Sequence, residues 1–362
     1  MNVQGIIQPD TTRKRETKFL SRLIGDDLEY IEKYERIRNI SSKVTVSEYH
    51  LTNACNIRCE GCWFFEFGFD RETKEVTKIG PLDEFLQAEN ARGINAALVI
   101  GGEPTLFPKR LESYRKYMDY LTISTNGLKG LPVEGFEDVA VLISLFGGGK
   151  LDDEIRAIKP NGDRFTGLFQ STLKNYTNDP RACFIFAVTE DGLDYIEATV
   201  KAICENGNRV SFNFYSKYGS DDPLRQRYPK RLLDRLLEIK ELYPTTVLST
   251  RYYIQTMVTG KSHWGEFGYQ QCPSVSVDHP ANKDRVANGL PVLPKFNTWA
   301  ADLATVNFCC TSGHCEDCRD SQAVFSWLLV NMARFRRDGD LMKAWIDISE
   351  SYWKQFIWSG IT

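Results

Sequence analysis

The chain has 362 residues, enough for one large domain, or a large domain with a small appendage, around a substantial core. Charged residues make up 26% of it, hydrophobic residues 42%, and the formal net charge is -3, so no charge excess indicates binding to nucleic acid or to a membrane surface. No run approaches the roughly 18 apolar residues of a membrane span, and the first residues lack the apolar stretch of a secretory signal. We therefore expect a cytoplasmic protein with neither a nucleic-acid nor a membrane partner.

Residues 1–43 are predicted to form a helical N-terminal arm, because apolar residues at helical spacing indicate one helix from Thr17 to Ile37. Between residues 44 and 245, short apolar runs alternate with amphipathic helical segments. This alternation is typical of an α/β fold, and buried-type runs are expected where helices cover a parallel sheet or incomplete barrel. The predicted strands are VTVSEYH, NAALVI, YLTIST, VAVLISLF, CFIFAVT and RVSFNFY.

After a predicted helix at Pro229 to Leu242 the regular pattern ends. Residues 246–320 are predicted to form a second, small domain, and residues 321–362 two C-terminal helices that dock onto the core. The small domain begins with a segment dense in aromatic residues, which would suit either stacking against a substrate or packing inside the domain. Those aromatic residues are Tyr252, Tyr253, Trp264, Phe267 and Tyr269.

The first cysteine cluster follows the first predicted strand directly. Cys55, Cys59 and Cys62 have the spacing C-x3-C-x2-C, and no fourth cysteine or histidine lies just downstream. A structural zinc site uses four protein ligands, whereas a 4Fe-4S cluster held by three thiolates keeps one iron open. The spacing therefore predicts an iron-sulfur cluster to which a substrate or cofactor can bind.

Polar or glycine-rich segments end the next strands. The second predicted strand ends in Gly101, Gly102, Glu103 and Pro104, the third in Ser124 to Asn126, and the fourth near Ser144. Barrels of alternating strands and helices place their active sites at the carboxyl ends of the strands. We therefore expect these segments to surround one cavity, which Thr189 and Tyr215 at the ends of the last two strands also face.

The cysteine spacing, followed directly by the aromatic Trp63, resembles the signature of the radical S-adenosylmethionine (radical SAM) superfamily. The resemblance implies a partial (β/α)6 TIM-like barrel over residues 44–245. It also implies a 4Fe-4S cluster whose open iron is chelated by the amino and carboxylate groups of S-adenosylmethionine. An electron from the cluster would then break the bond between the sulfur and C5′ of that cofactor, while the protein supplies binding and orientation.

The same resemblance suggests roles for the strand ends. The segment from Gly101 to Pro104 is similar to the family's GGEP motif, which contacts the methionine amino group. Ser124 and Asn126 resemble the segment beside the adenosine ribose, and Ser144 ends the next strand. Arg156, in a stretch similar to that of members with cysteine-rich C-terminal extensions, is expected to pair with the methionine carboxylate.

A second group of cysteines lies near the C-terminus. We expect the ligands of one metal site to be Cys272, Cys310, Cys315 and Cys318, with Cys309 as the substitute for Cys310. Four thiolates suit either structural zinc or a fully ligated 4Fe-4S cluster, and spacing alone does not separate the two. Radical SAM members with a shortened, twitch-type C-terminal domain carry one auxiliary cluster on cysteines like these, and this resemblance favours iron.

Three functional hypotheses follow. The leading one is a radical SAM enzyme that abstracts hydrogen from a small molecule, such as a sugar or nucleoside, in a dehydrogenation, an epimerisation or the formation of a carbon-carbon bond. The resemblance implies flavodoxin or ferredoxin as its reductant. A second hypothesis is a peptide-modifying maturase, although the N-terminal arm looks too short and simple to recognise a leader peptide. The third is a non-catalytic zinc or iron-sulfur protein.

Overall fold

A computed structural model describes residues 10–214, 229–259, 273–289, 292–307 and 321–357. The chain begins with two helices, α1 (Asp10–Ile24) and α2 (Leu28–Ser41). The sequence predicted one helix from Thr17 to Ile37, and this prediction is wrong at Gly25. That glycine has φ +75°, a left-handed conformation that interrupts the helix and that glycine adopts without steric cost.

The centre of the fold is a parallel sheet whose strands follow their order in the chain. All six predicted strands are confirmed, and each one pairs in parallel with the next. Their cores are apolar and mostly buried, as expected for strands covered by helices on the outer face. The strands are β1 (Val46–His50), β2 (Ala96–Ile100), β3 (Tyr120–Thr125), β4 (Ala140–Leu145), β5 (Ala182–Val188) and β6 (Arg209–Phe214).

Helices connect successive strands and cover the convex side of the sheet. Two short helices follow the cysteine motif, and two 3₁₀ turns, Pro104–Leu106 and Glu190–Tyr195, precede longer helices. The helices are α3 (Trp63–Glu66), α4 (Phe69–Glu72), α5 (Ile79–Ala91), α6 (Pro108–Tyr117), α7 (Gly149–Arg156), α8 (Leu168–Asn175), α9 (Ile196–Glu205), α10 (Pro229–Leu242) and α11 (Arg251–Thr259).

The C-terminal part extends the sheet at its β1 edge. Strand β7 (Thr298–Trp299) pairs in parallel with β1, and β8 (Val306–Asn307) pairs antiparallel with β7. In the described residues the sheet therefore has the order β6-β5-β4-β3-β2-β1-β7-β8, and β6 does not meet β1. Before these strands lie the 3₁₀ turn Pro280–Asn282 and helix α12 (Lys283–Ala287). The division into an arm, a barrel and a twitch-like domain stays a prediction.

The remaining helices are α13 (Ser321–Val330), α14 (Met332–Phe335) and α15 (Gly339–Phe356). The two long ones pack against the inner, concave face of the sheet. There the Thr122 hydroxyl of β3 donates a hydrogen bond to the Phe356 carbonyl, and Ser351 donates to the Leu248 carbonyl at 2.8 Å. Through these two hydrogen bonds the C-terminal helices dock onto the core, as predicted.

The concave face of the sheet is divided between two cavities. A cavity of about 290 Å³ lies towards the amino ends of the strands, between Val46, Ala96, Leu98 and Thr122 and the C-terminal helices. A second cavity, of about 260 Å³, is lined by residues at or after the carboxyl ends of all six strands. Because residues of β2 to β6 and of the loop after β1 line one cavity, the sheet curves around it as a partial (β/α)6 barrel. In the described residues no helix has the length and apolar character to cross a membrane.

The packing of α5 beneath β1 and β2 gives a test of the fold. Leu86 is fully buried in the core, whereas its neighbour Gln87 is exposed on the opposite side of the same helix. We expect Leu86→Ala to lower the free energy of unfolding by about 2–5 kcal/mol, because it leaves a cavity. The matched control Gln87→Ala should change it by less than about 0.5 kcal/mol. Urea unfolding of both variants measures the difference, and equal values would contradict this packing.

Candidate active site

The cavity at the carboxyl ends of the strands collects almost every residue predicted for the site. The loop between β1 and α3, residues 51–62, forms one side of it and is called the cysteine loop below. Pro104 does not line the cavity; it is buried and starts the 3₁₀ turn after β2. The predicted residues that do line it are Cys55, Cys59, Cys62, Trp63, Gly101, Gly102, Glu103, Ser124, Asn126, Ser144 and Arg156.

A buried ion pair holds the start of the cysteine loop. Arg110 of α6 pairs with Glu75 and also donates hydrogen bonds to the carbonyls of Leu51 and Val76. The other Glu75 oxygen accepts from the Thr52 hydroxyl at 3.0 Å and from the Asn53 amide at 2.8 Å. Both charged side chains are largely buried, so removing either one would leave an unpaired buried charge, which is strongly unfavourable. The pair therefore fixes the loop just before Cys55.

The far end of the cysteine loop is tied to the segment around α7. The amide of Arg58 donates to the Ile158 carbonyl at 2.7 Å, and the amide of Glu60 donates to the Ile155 carbonyl at 2.9 Å. The Arg58 guanidinium turns back to donate to the Cys55 carbonyl at 3.1 Å and lies over the Phe65 ring. Contacts with residues outside the loop thus hold it just before Cys55 and again between the cysteines.

The two glycines after β2 are required for contact with the cysteine loop. Gly101 has φ +122°, and a Cβ atom there would lie 2.8 Å from the Thr52 carbonyl oxygen. At Gly102 a Cβ atom would lie 2.1 Å from the Ala54 carbonyl oxygen, which no side chain can tolerate. The Gly102 amide instead donates to the Thr52 carbonyl at 2.8 Å. The sequence predicted that these glycines allow a close approach to their backbone. In the structure the cysteine loop approaches them.

Glu103 joins the carboxyl ends of β2 and β3. Its side chain is 1% exposed and accepts hydrogen bonds from the Thr105 amide and hydroxyl at 3.0 and 2.6 Å, from the Thr125 hydroxyl at 2.7 Å and from the Asn126 amide at 2.7 Å. Burial raises the pKa of this carboxyl, and the four donors oppose the rise. A carboxylate has about four acceptor positions, so most of the hydrogen-bonding capacity of Glu103 is used within the protein.

The three cysteines are half-buried free thiols at the edge of the cavity. Burial raises the pKa of Cys55 to about 12 and that of Cys62 to about 11, so either thiolate needs a positive partner. Backbone amides supply donors to both sulfurs, from Ile57 to Cys55 and from Phe64 and Phe65 to Cys62. Thiols in this setting fit binding to iron, which requires deprotonated sulfur.

The three cysteines line one cavity together, which is what binding to one cluster requires. In a 4Fe-4S cluster each thiolate binds its own iron, so the sulfurs need not converge on one point. Three thiols around one cavity, each near a hydrogen-bond donor, therefore suit a cluster with one open iron.

Trp63, directly after the third cysteine, belongs to a group of aromatic rings around a buried histidine. The His50 ring, at the end of β1, makes edge contacts with Trp63, Phe64 and Phe69 at centroid distances of 5.3 to 5.7 Å. The side-chain amide of Asn307 lies 3.3 Å from His50 Nδ1, and Nε2 has no hydrogen-bond partner among the described residues. Burial lowers the pKa of His50 to about 3, which keeps the ring neutral.

Arg156 also lines the cavity and is almost fully buried. It pairs with Asp152 at 2.9 Å, donates to the Ser144 carbonyl and hydrogen-bonds the side chain of Cys59. Burial works against its charge, but the negative charges of Cys59 and Asp152 outweigh burial and raise its pKa. The Nε atom of Arg156 is buried and has no hydrogen-bond partner among the described residues.

Several expectations about the outer wall need correction. Thr189 does not line the cavity, because its side chain accepts a hydrogen bond from the Gly192 amide and caps a 3₁₀ turn. Tyr253 stacks on Phe325 in the core at 4.2 Å, and Tyr252 packs against Phe335, so neither forms a substrate wall. The following predicted residues lie outside the described part of the chain: Tyr215, Trp264, Phe267, Tyr269, Cys272, Cys309, Cys310, Cys315 and Cys318.

Sequence reasoning missed the residues that support the site from behind. Glu75 and Arg110 are 35 positions apart, and neither belongs to a periodic pattern or motif that would pair them. His50 was included in the first predicted strand, but its contact with Asn307 joins residues 257 positions apart. Each contact depends on the folded topology. The one available signal was a histidine at the end of the first predicted strand.

Residues 49–218 match the family model described as the radical SAM superfamily. This part of the chain is a radical SAM domain, and such a domain implies a 4Fe-4S cluster and S-adenosylmethionine. No curated protein matches the sequence significantly.

Solved structures with partial similarity include native anSMEcpe with bound AdoMet and Cp18Cys peptide, at 14% identity and a TM-score of 0.48, covering 78% of this chain and 80% of that one. Hexahistidine-tagged anSMEcpe with bound AdoMet has 16% identity and a TM-score of 0.44, with 64% and 68% covered. The FeFe-hydrogenase maturase HydG from Carboxydothermus hydrogenoformans has 14% identity and a TM-score of 0.39, with 96% and 90% covered.

The contact between Gly102 and Ala54 gives a test of the site. We expect Gly102→Ala to displace the cysteine loop, to lower the free energy of unfolding by about 1–3 kcal/mol and to reduce the iron bound after reconstitution. Gly80→Ala is the matched control, because Gly80 lies in α5 with open space around it. Urea unfolding and iron analysis of both variants check this, and normal iron uptake by the Gly102 variant would contradict the geometry.

Buried His50 predicts a pH dependence. Since its pKa is about 3 in the folded chain and about 6.5 when unfolded, the unfolded state binds the proton first. Stability contributed by the neutral ring is complete above about pH 6.5 and falls by up to about 1.4 kcal/mol per unit below it. Substituting His50→Phe should remove this part of the slope in urea unfolding of the iron-free chain between about pH 7 and 5. Parallel slopes for both proteins would contradict the buried neutral ring.

Proposed function

We propose that this chain is a radical SAM enzyme that binds its catalytic 4Fe-4S cluster through Cys55, Cys59 and Cys62 and abstracts hydrogen from a small-molecule substrate. One observation carries the proposal: the three thiols, on the loop after β1, line a single cavity together with residues of β2 to β6. The chemistry that the bound cofactors would supply is reductive cleavage of S-adenosylmethionine to a 5′-deoxyadenosyl radical. Dehydrogenation, epimerisation and formation of a carbon-carbon bond are the reactions we consider.

The residues of the chain would orient the cofactors and exclude water. Gly101 and Gly102 bring the end of β2 against the cysteine loop, so their backbone is at the cavity for the methionine amino group. The Nε–H of Arg156, which has no partner among the described residues, is suited to the methionine carboxylate. Ser124 and Ser144 line the wall for the adenosine part, and the aromatic group around Trp63 keeps water from the third cysteine.

The cavity wall supports an uncharged substrate. Among the described lining residues, Glu103 and Arg156 are the charged ones apart from the cysteines, and both are paired within the protein. The rest of the inner wall is apolar or carries neutral hydroxyl and amide groups, as at Asn213. Such a surface suits sugars, nucleosides or similar molecules, which bind through neutral hydrogen bonds and ring contacts. Flavodoxin or ferredoxin is the proposed electron donor.

A second cluster on Cys272, Cys310, Cys315 and Cys318 remains part of the proposal, with Cys309 as the substitute for Cys310. Support comes from the described residues that flank this segment. Asn307 contacts His50 at the end of β1, and the Ser321 amide donates to the Asn213 side chain near the end of β6 at 3.0 Å. The described residues on either side of this segment thus contact the carboxyl ends of β1 and β6, and this supports a second cluster near the first.

The deciding experiment is anaerobic reconstitution with iron and sulfide, followed by dithionite and S-adenosylmethionine. We expect 5′-deoxyadenosine, with about four irons per chain for one cluster and about eight for two. Zinc in place of iron, and no deoxyadenosine, would refute the proposal and favour a metal-stabilised protein without radical chemistry.

Variants of single cysteines sharpen that result. We expect Cys59→Ala to abolish formation of 5′-deoxyadenosine, because two thiolates cannot hold the cluster with one open iron. Cys204→Ala is the matched control, since Cys204 is an exposed thiol on α9 away from the cavity. It should retain full cleavage and iron content. Equal activity of the two variants, measured by chromatography of the nucleoside product, would exclude Cys59 as a cluster ligand.

A further inference from the structure

Asn126 lies between the end of β3 and the cysteine loop and is 7% exposed. Its side-chain nitrogen Nδ2 lies 3.8 Å from Cys55 Sγ and 2.7 Å from Asn56 Oδ1. These are the two residues at the start of the cysteine motif. The contacts connect the third strand of the barrel directly with the sulfur of the first cysteine.

The orientation of this amide is fixed by its other hydrogen bonds. Oδ1 accepts from the Leu128 amide at 2.9 Å, so the oxygen must face away from the cysteine loop. The backbone amide of Asn126 donates to Glu103 at 2.7 Å, which holds the residue at its base. With both ends held, the NH₂ group faces Cys55 and Asn56.

The two hydrogens of this NH₂ group match its two acceptors. One is directed at Asn56 Oδ1, and the second is available to the sulfur of Cys55. In the free thiol, Cys55 can itself donate to Asn56 at 3.9 Å. Once the sulfur binds iron it carries no proton, so that bond is lost. The contact with Asn126 then becomes an N–H···S hydrogen bond to a thiolate.

We propose that Asn126 is a positioning residue that raises the reduction potential of the cluster through a hydrogen bond to Cys55, and this rests on the proposed function. Hydrogen bonds to the sulfurs are one of the factors that set the potential of an iron-sulfur cluster. A donor stabilises the negative charge on sulfur, and that charge is larger in the reduced state. The hydrogen bond therefore favours reduction, which is the step that precedes cofactor cleavage.

This assignment differs from a contact between Asn126 and the ribose of S-adenosylmethionine. A ribose contact would make Asn126 important for cofactor affinity and would leave the potential of the cluster unchanged when the cofactor is absent. A hydrogen bond to Cys55 acts on the cluster whether or not the cofactor is bound. Potential and affinity, measured separately, therefore distinguish the two roles.

The test is a redox titration of the reconstituted cluster, followed by electron paramagnetic resonance without S-adenosylmethionine. We expect a lower midpoint potential for Asn126→Ala, which removes the donor. We expect a larger decrease for Asn126→Asp, which keeps the shape but places a carboxylate beside the thiolate. Ser124→Ala is the control, because Ser124 lies on the same strand and lines the same cavity without a hydrogen bond to a cysteine in the described residues. Its potential should equal that of the wild type.

The outcomes separate this inference from the proposed function. If wild-type protein takes up no iron, the proposed function is wrong. If wild-type clusters form and both Asn126 variants keep the wild-type potential, the role of Asn126 is refuted while the proposed function stands. Unchanged potentials with weakened binding of S-adenosylmethionine would assign Asn126 to the cofactor instead.

Discussion

The site depends on the buried carboxylate of Glu103. An isolated anion at this depth would be strongly unfavourable, and it is stable here because four donors from Thr105, Thr125 and Asn126 surround it. Its own amide donates to the Ala54 carbonyl at 2.8 Å. One residue thereby joins the cysteine loop, the end of β2 and the end of β3. Displacing any of these three segments would leave a buried charge or a buried donor unsatisfied, so the segments behave as a unit.

The need to satisfy these buried groups also explains the sequence of the segment after β2, from Gly101 to Pro104. Two glycines are needed because the cysteine loop crosses within contact distance, and an acidic residue is needed because neighbouring donors converge there. Pro104 then begins a 3₁₀ turn, where a missing amide hydrogen has no cost. A motif associated with cofactor binding is therefore also explained by contacts within the protein. The proposed cofactor contacts would require the same residues, and the internal contacts form before any cofactor binds.

The sequence predicted the barrel well because strands such as β2, β4 and β5 are nearly continuous apolar runs, and such runs occur where both faces of a strand are buried. It failed where one residue overrides a regular pattern. Gly25 interrupts an otherwise helical spacing of apolar residues, so the sequence predicted one helix where the structure has two. It also failed for Thr189, whose hydroxyl satisfies a turn amide and is not directed at the cavity. In both cases local backbone chemistry decided the outcome, which periodicity does not detect.

Long-range contacts could not be predicted from the sequence for a different reason. The pair of Arg110 and Glu75 and the contact of His50 with Asn307 form only after the sheet brings distant segments together. These residues determine the position of the cysteine loop, although the cysteine spacing alone was enough to predict iron. The identity of the metal ligands is thus a local property, because thiolates close in sequence can reach one cluster. Their orientation is a property of the whole barrel.

The wall of the cavity shows why the substrate is harder to predict than the cofactors. Ile185, Ala187 and Asn213 lie at alternating positions of β5 and β6, where the same side chains would be ordinary in a packed core. Here these side chains line a cavity, because the described C-terminal helices pack only against the amino-terminal half of the barrel. Asn213 also accepts the hydrogen bond that begins α13, so the helix that follows the second cysteine group starts at the cavity wall. Substrate contacts and the position of the C-terminal segment are therefore coupled through this strand, and neither follows from a motif.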